Sequence, residues 1–380
     1  MKKIIPYGHQ WIDDKDIKEV VKTLKTDWVT QGPKIEEFEK AVVKYCGVKY
    51  AVAVSSGTAA LHAAYAVAGI GLGDEVITTP LTFAATAYTL TFFGAKPVFA
   101  DIKEDTLNID PEEIEKRITQ KTKALAPVDF AGQPCDYEEI FKIAKKHKLL
   151  VIEDAAQALG SEYKGKKIGG LADLTILSFH PVKTITTGEG GMILTNREDF
   201  YKKLKIFRHH GIIKKPEKGG WYYEIENLGH NFRITDFQCA LGLSQLKKIN
   251  KFLKRRREIV AKYNRAFKDV KEIILPKEEK DRKSAWHIYI IQLSLERLKA
   301  DRKEIFGAFQ EEGIGVQVHY LPLHLQPFFQ KKFGYKDGDF PIAERYYERA
   351  ITLPLFPKMS NGDVERVIKS VKKVISFYAI

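Results

Sequence analysis

Cysteine is scarce in this chain: three residues in 380. Cys46, Cys135 and Cys239 lie far apart, match no zinc spacing and make an odd count. Neither a disulfide framework nor a metal site is expected from them; reduced, buried thiols are the simpler reading. Long apolar runs are missing too, and no stretch approaches the roughly 20 residues of a membrane-spanning helix. The basic start, MKKIIPYGHQ, has no apolar core of the signal-peptide kind, so a cytoplasmic location without a membrane partner is expected. There are no internal repeats and no low-complexity tracts. GxGxxG and the Walker lysine motif are absent, which removes the usual dinucleotide and P-loop sites.

What is present is ordinary in balance and basic in charge. Hydrophobic residues make 44% and charged residues 29%, as in a soluble globular protein long enough for two domains. Lys and Arg outnumber Asp and Glu by 62 to 49, a net charge of +13. Such a charge suits nucleic acid or a phosphate-bearing substrate. The lysines are spread out, however. The single dense run, Lys254-Arg255-Arg256-Arg257, falls in a helical stretch and reads as a solvated helix face. No nucleic-acid module accompanies it, and no nucleic-acid partner is expected.

Apolar stretches of strand length alternate with helical patterns through the first two-thirds. Strands are expected at YAVAVSS ending at Ser55, at 75–79, 97–101, 123–130, 149–155, 174–179 and 190–196. Helices are expected at 14–25, at 33–46 and after Gly57. This alternation predicts an α/β fold with a mostly parallel sheet covered on both faces, and ligands at the strands' carboxyl ends. Beyond residue 245 the pattern changes. A basic helix over 244–268 leads to the strand WHIYIIQL, a helix at 301–312, a second strand GIGVQVHY, and helices at 341–350 and 361–377. The reading is a large domain over 14–245 and a smaller α+β domain over 246–380, joined by residues 1–13. Residues 213–227 are expected as an irregular mobile loop.

Three features carry chemistry. SSGTAAL ends a strand and opens a helix near Thr58, and free N–H groups at a helix start bind phosphate; alternatively Thr58 is a plain N-cap. Asp154, in EDAAQALGS, stands just past a buried strand, as a partner for a cationic ring nitrogen or as a cap. Lys183, in SFHPVKTITTGEGG, lies one crossover and one strand downstream in apolar company. Burial lowers a lysine's pKa toward the nucleophilic free amine. A phosphate cradle, a buried aspartate and a Schiff-base lysine together point to pyridoxal 5′-phosphate (PLP) chemistry.

With TQGPKIEEFE, TFAATA, VDFAGQP, GHNFRITDFQCALGLSQL and VHYLPLH in the same order, the chain resembles the DegT–DnrJ–StrS family of sugar aminotransferases over nearly its whole length. The resemblance implies PLP-dependent transferase fold type I and amino transfer from L-glutamate to a nucleotide-linked keto-sugar. It casts Lys183 as the Schiff-base lysine and Asp154 as the partner of the pyridine nitrogen. Gln157 falls near the ring hydroxyl, Phe83 against the ring, and Gly57, Thr58, Ala59 and Ser178 around the phosphate. Asn231 matches an asparagine that reaches the neighbouring subunit's cofactor, implying a homodimer with shared sites. His319 and Tyr320 fall near the sugar nucleotide, and Tyr7, Gln31 and His180 are weaker substrate candidates. Aromatics beside apolar strands are more often core, which is the other reading of Phe83, His319 and Tyr320. Some relatives carry histidine in place of the lysine and act as dehydrases; Lys183 favours transamination. SFHPVKTITTGEGG, SEYKGKKIGG and GHNFR look most like the 4-aminotransferases of pseudaminic acid biosynthesis, which act on a UDP-linked 4-keto-6-deoxy-N-acetylhexosamine. Amination at C3, or a dTDP- or GDP-linked sugar, is the alternative. A non-catalytic regulator of this fold is a further one.

Overall fold

The parallel strands are short, β-branched and apolar because both faces of their sheet are covered. The computed structural model describes residues 4–380. Its main sheet holds β1 (Tyr50–Val54), β2 (Glu75–Thr78), β3 (Lys96–Phe99), β4 (Thr122–Ala126), β5 (Leu150–Asp154), β6 (Leu174–Ser178) and β7 (Gly191–Thr195). Their order is β1-β7-β6-β5-β4-β2-β3. Strands β3, β2, β4, β5 and β6 are mutually parallel; β7 runs antiparallel to both of its neighbours. The expected strands thus form within a residue or two at the start and up to four at the end.

Helices α1 (Asp14–Leu24), α2 (Pro33–Cys46), α3 (Gly57–Val67) and α4 (Ala85–Thr91) cover this sheet with others that follow. Their ends are written locally. Asp13 and Asp16 close a capping box on α1. Pro33 opens α2, and Gly47, at φ 71°, ends it in the left-handed conformation.

A second core forms around the antiparallel strands Ile273–Ile274, Tyr289–Leu293 and Ala350–Leu353, with helices Arg302–Glu311 and Asn361–Tyr378 against them. Ile5 joins that core, held by Ile5 N–H to Gly313 O at 3.0 Å and Gly315 N–H to Ile5 O at 2.7 Å. Residues 1–3 of the expected joining segment lie outside the described residues. Helix Ile249–Phe267 runs from one core to the other: Phe252 and Leu253 pack in the first, Tyr263 and Phe267 in the second.

Four expectations are corrected. The single helix over 244–268 is two, Asp236–Leu246 and Ile249–Phe267. The break falls at Lys248, whose N–H bonds back three residues to Gln245 O and whose amine pairs with Asp13, the cap of α1, and with Asp16 inside it. The basic run is not wholly solvated. Arg256 is 1% exposed, because the helical period puts it on the face of Phe252, Ile259 and Tyr263. GIGVQVHY is no strand. Ile314 bridges to Ile5 and Gln317 to Thr352, two different partners that leave no continuous ladder. Residues 213–227 are not irregular either. Ile212–Lys214 pairs with Tyr223–Ile225, and a turn at Pro216–Lys218 followed by Gly219, at φ 135°, reverses the chain.

Candidate active site

The carboxyl ends of β1, β2, β4, β5 and β6 meet at one edge of the sheet, where Tyr7, His287 and residues 317–320 close over them. Between them lies a cavity of about 570 Å³.

Its floor begins at α3. Ser56 caps this helix, accepting the Ala59 N–H at 3.0 Å, so the cap is Ser56 and not Thr58. Gly57 and Thr58, in the uncapped part of the first turn, line the cavity with their N–H groups lacking intrahelical acceptors. Two glycines permit the geometry. A Cβ on Gly57 would stand 3.0 Å from the Cβ of Ser178 across the cradle. A Cβ on Gly191 would stand 2.3 Å from the Ser56 carbonyl oxygen, so only glycine lets β7 pass under the helix start.

Asp154 ends β5 and is 5% exposed. Burial raises its carboxyl above the usual range; the Thr86 hydroxyl, the Ala156 N–H and the Lys183 charge oppose that rise. Thr86 donates to Oδ2 at 2.7 Å and Ala156 N–H to Oδ1 at 3.1 Å. A carboxylate only accepts, so Thr86 spends its single proton there, and Thr82, 2.9 Å away, donates to Thr86 in turn.

Lys183 sits in the turn between β6 and β7. Its N–H bonds His180 O at 2.9 Å. Phe179, fully buried against Phe38, anchors the turn, and Thr186 Oγ1 donates to Phe179 O at 2.9 Å. The lysine faces the cavity beside Val182. Burial pushes its ammonium down to about 8, while Asp154 pulls the other way. A useful fraction of free amine therefore exists near neutral pH.

Gln157 is locked between two elements. Its Oε1 accepts the Ala131 N–H at 2.7 Å and its Nε2 donates to the Tyr320 hydroxyl at 3.1 Å. Ala131, at φ 57°, and Gly132, at φ 92°, make the sharp bend that aims this N–H. His319 is 7% exposed; its Nδ1 lies 2.8 Å from Thr352 Oγ1 and its ring 5.5 Å from that of Tyr7. Burial and Lys183 push its imidazole down to about 4, so it is neutral.

The cavity therefore brings together Tyr7, Gly57, Thr58, Phe83, Asp154, Gln157, Ser178, His180, Lys183, His319 and Tyr320. Phe83 is 59% exposed and so is no core residue. Three candidates stand apart. Ala59 is buried with its N–H already used by Ser56. Gln31 lies in a separate cleft with Arg208 and Arg233. Asn231 is exposed and bridges His209. Sequence reasoning missed Ser56, Thr82, Thr86, Glu189, His287 and Gln317, which also line the cavity. Thr82 and Thr86 were within reach, since both belong to TFAATA; His287 carried no local signal.

Residues 10–372 match the model of the DegT/DnrJ/EryC1/StrS aminotransferase family. The chain is 45% identical to the Bacillus subtilis spore coat polysaccharide biosynthesis protein SpsC, over 98% of this chain and 97% of that one. It is 42% identical to the UDP-4-amino-4,6-dideoxy-N-acetyl-beta-L-altrosamine transaminase of Campylobacter jejuni, over 96% of each. Among solved structures, Helicobacter pylori PseC, an aminotransferase of pseudoaminic acid biosynthesis, superposes with TM-score 0.94 at 37% identity, covering 99% of this chain and 100% of that one. The PLP-form of a proposed sugar aminotransferase from Streptococcus pneumoniae does so at 0.93 and 34%, over 98% and 99%. With the sheet described above, these likenesses establish fold type I of the PLP-dependent transferases, and the chain belongs to the DegT/DnrJ/EryC1/StrS aminotransferase family.

Proposed function

We propose that this protein is a PLP-dependent aminotransferase that moves an amino group from L-glutamate to a nucleotide-linked 4-keto-6-deoxy sugar. The sugar is a UDP-linked N-acetylhexosamine aminated at C4. The observation that carries the reading is one cavity holding Lys183, Asp154 and the open start of α3. The named activities of the Campylobacter and Helicobacter relatives support the substrate; the spore coat relative leaves room for a different polysaccharide pathway.

The residues present fit PLP. The Gly57–Ser178 cradle would be narrowed by any Cβ, and it faces N–H groups suited to a phosphate. Asp154, a carboxylate kept from water, has no bonded cation among the described residues and would pair with the cationic ring nitrogen. Gly57, Thr58 and Ser178 would hold the phosphate, Gln157 the ring hydroxyl, Phe83 the ring face, and Lys183 the covalent link. When bound, PLP supplies an electron sink that makes the donor's Cα–H acidic. Lys183 Nζ, poised near neutral pH, would accept that proton from the donor's Cα as base and then, as acid, deliver it to the cofactor side, not back to the donor carbon. The Thr82–Thr86 relay favours the charged form of Asp154 against the effect of burial. Neutral His319 and the Tyr320 hydroxyl present hydrogen bonds to the sugar without drawing the proton from Lys183. Asn231 lies outside this chain's cavity; it serves a neighbouring subunit's site in a homodimer. No helix among the described residues is long and apolar enough to cross a membrane.

The test is a panel of UDP-, dTDP- and GDP-keto-sugars with L-glutamate, with the amine position fixed by NMR. A C4 amine on the UDP sugar is expected. Amination at C3 overturns the substrate, and no amination of any sugar, with the cofactor's visible band unchanged by glutamate, overturns the activity.

A further inference from the structure

An amino-acid donor brings a carboxylate into this cavity, yet among the described residues no arginine lines it, and its one lysine is committed to proton transfer. His287 offers the missing contact. It is 4% exposed, lines the cavity, and its Nδ1 is enclosed with no hydrogen-bond partner among the described residues. Leaving such an atom dry is costly, and is tolerated where a ligand or ordered water completes the bond.

The backbone of His287 is clamped. Its N–H donates to Ala131 O at 2.9 Å, and Arg256 Nη1 donates to its carbonyl at 2.9 Å. Ala131 is the residue whose N–H holds Gln157, so His287 stands on the Gln157 side of the cavity. Arg256 is unusual in its own right. Its guanidinium bonds the carbonyls of Trp286, His287 and Leu355 and no carboxylate, and its Nε has no partner among the described residues. Against the His287 backbone, then, lies a buried positive charge that no carboxylate among the described residues neutralises. Burial first, then Lys183 and Arg256, keep the imidazole neutral. The field that discourages a proton on the ring favours an anion beside it.

We propose that His287 binds the carboxylate of the amino-acid donor, donating a ring N–H to it while the buried Arg256 charge stabilises the anion from behind. The inference rests on the aminotransferase reading and deepens it. The diphosphate of a nucleotide sugar is the other anion at hand. It hangs from the anomeric carbon, across the sugar ring from a C4 keto group. The donor's α-carboxylate, by contrast, is bonded to the same carbon that Lys183 deprotonates, so it must lie within a few ångströms of Lys183. His287 lines the same cavity as Lys183, on the side of Gln157, and so can meet that carboxylate.

The test uses cofactor-loaded wild-type protein with His287→Phe, which keeps the ring volume, and His287→Gln, which keeps a donor. Binding of glutarate, a dicarboxylate with no amine to react, is measured by calorimetry alongside steady-state kinetics. The expected result is a ~10-fold or greater loss of glutarate affinity in H287F, matching one hydrogen bond to a charged group. H287Q recovers part of that loss. The KM for glutamate rises in parallel, while cofactor load and the KM for the keto-sugar stay unchanged. Unchanged glutarate affinity in H287F, or a shift in the keto-sugar KM in its place, overturns the proposal. Should H287F not fold, His287→Leu takes its place, with the same expected loss and the same refuting results. A wild-type enzyme that takes nitrogen from no amino acid refutes the aminotransferase reading itself; an active wild type with an indistinguishable H287F refutes only this inference.

Discussion

Replacing Thr86 by valine removes one hydroxyl at nearly constant volume, and that hydroxyl donates to Asp154 Oδ2 at 2.7 Å in a buried setting. A hydrogen bond to a charged group contributes about 1.5–3 kcal/mol. At about 1.4 kcal/mol per pKa unit, losing it raises the Asp154 pKa by roughly 1–2 units. The sign follows from what is lost. The bond stabilises only the ionised form, and burial already holds the carboxyl above its usual range. The acid limb of kcat should therefore move to higher pH by about 1–2 units in Thr86→Val, and Thr86→Ser should restore it. Stability of the cofactor-free protein responds in the same sense. A carboxyl whose folded pKa is raised favours folding below its unfolded pKa, and that contribution is lost as pH rises through the folded value. The variant should lose more stability across that range than wild type. The assay is a pH–rate profile with saturating substrates, with thermal melts at matched pH. An unmoved acid limb in a well-folded Thr86→Val protein refutes the assignment of Thr86 to Asp154.

Three further outcomes are expected. Cofactor capture by the cofactor-free protein should accelerate with pH around a midpoint of about 8, where Lys183 becomes a free amine, and not near the ordinary lysine value; stopped-flow absorbance reports it. Gly57→Ala places a Cβ 3.0 Å from that of Ser178 and should weaken PLP binding by ~10-fold or more in fluorescence titration, with little change in melting of the cofactor-free protein. Arg256→Leu leaves three carbonyls unpaired and should destabilise the protein by about 3 kcal/mol in chemical denaturation; a change under about 1 kcal/mol contradicts the role given to it.

The main sheet was legible because its strands are continuous apolar runs of strand length, and Asp154 and Lys183 stood out beside them: a charge at or just past the end of such a run needs a purpose. The cavity's other walls were not legible. Whether GIGVQVHY pairs as a strand depends on where Ile5 and Thr352 arrive, and both come from distant parts of the chain. The Lys254 to Arg257 run looked solvated because charge run and helical phase conflict there, and phase prevails when a guanidinium can reach three carbonyls. His287 gave no signal at all. A histidine ahead of an apolar strand is indistinguishable in sequence from a core residue, and only its unpartnered ring in the cavity separates the two.

The most direct measurement of the central claim is to reduce the PLP-loaded protein with borohydride and map the modified peptide by mass spectrometry. A single pyridoxyl adduct on Lys183, absent from Lys183→Ala, is the result predicted here. An adduct on another lysine, or none on a protein that holds PLP, contradicts it.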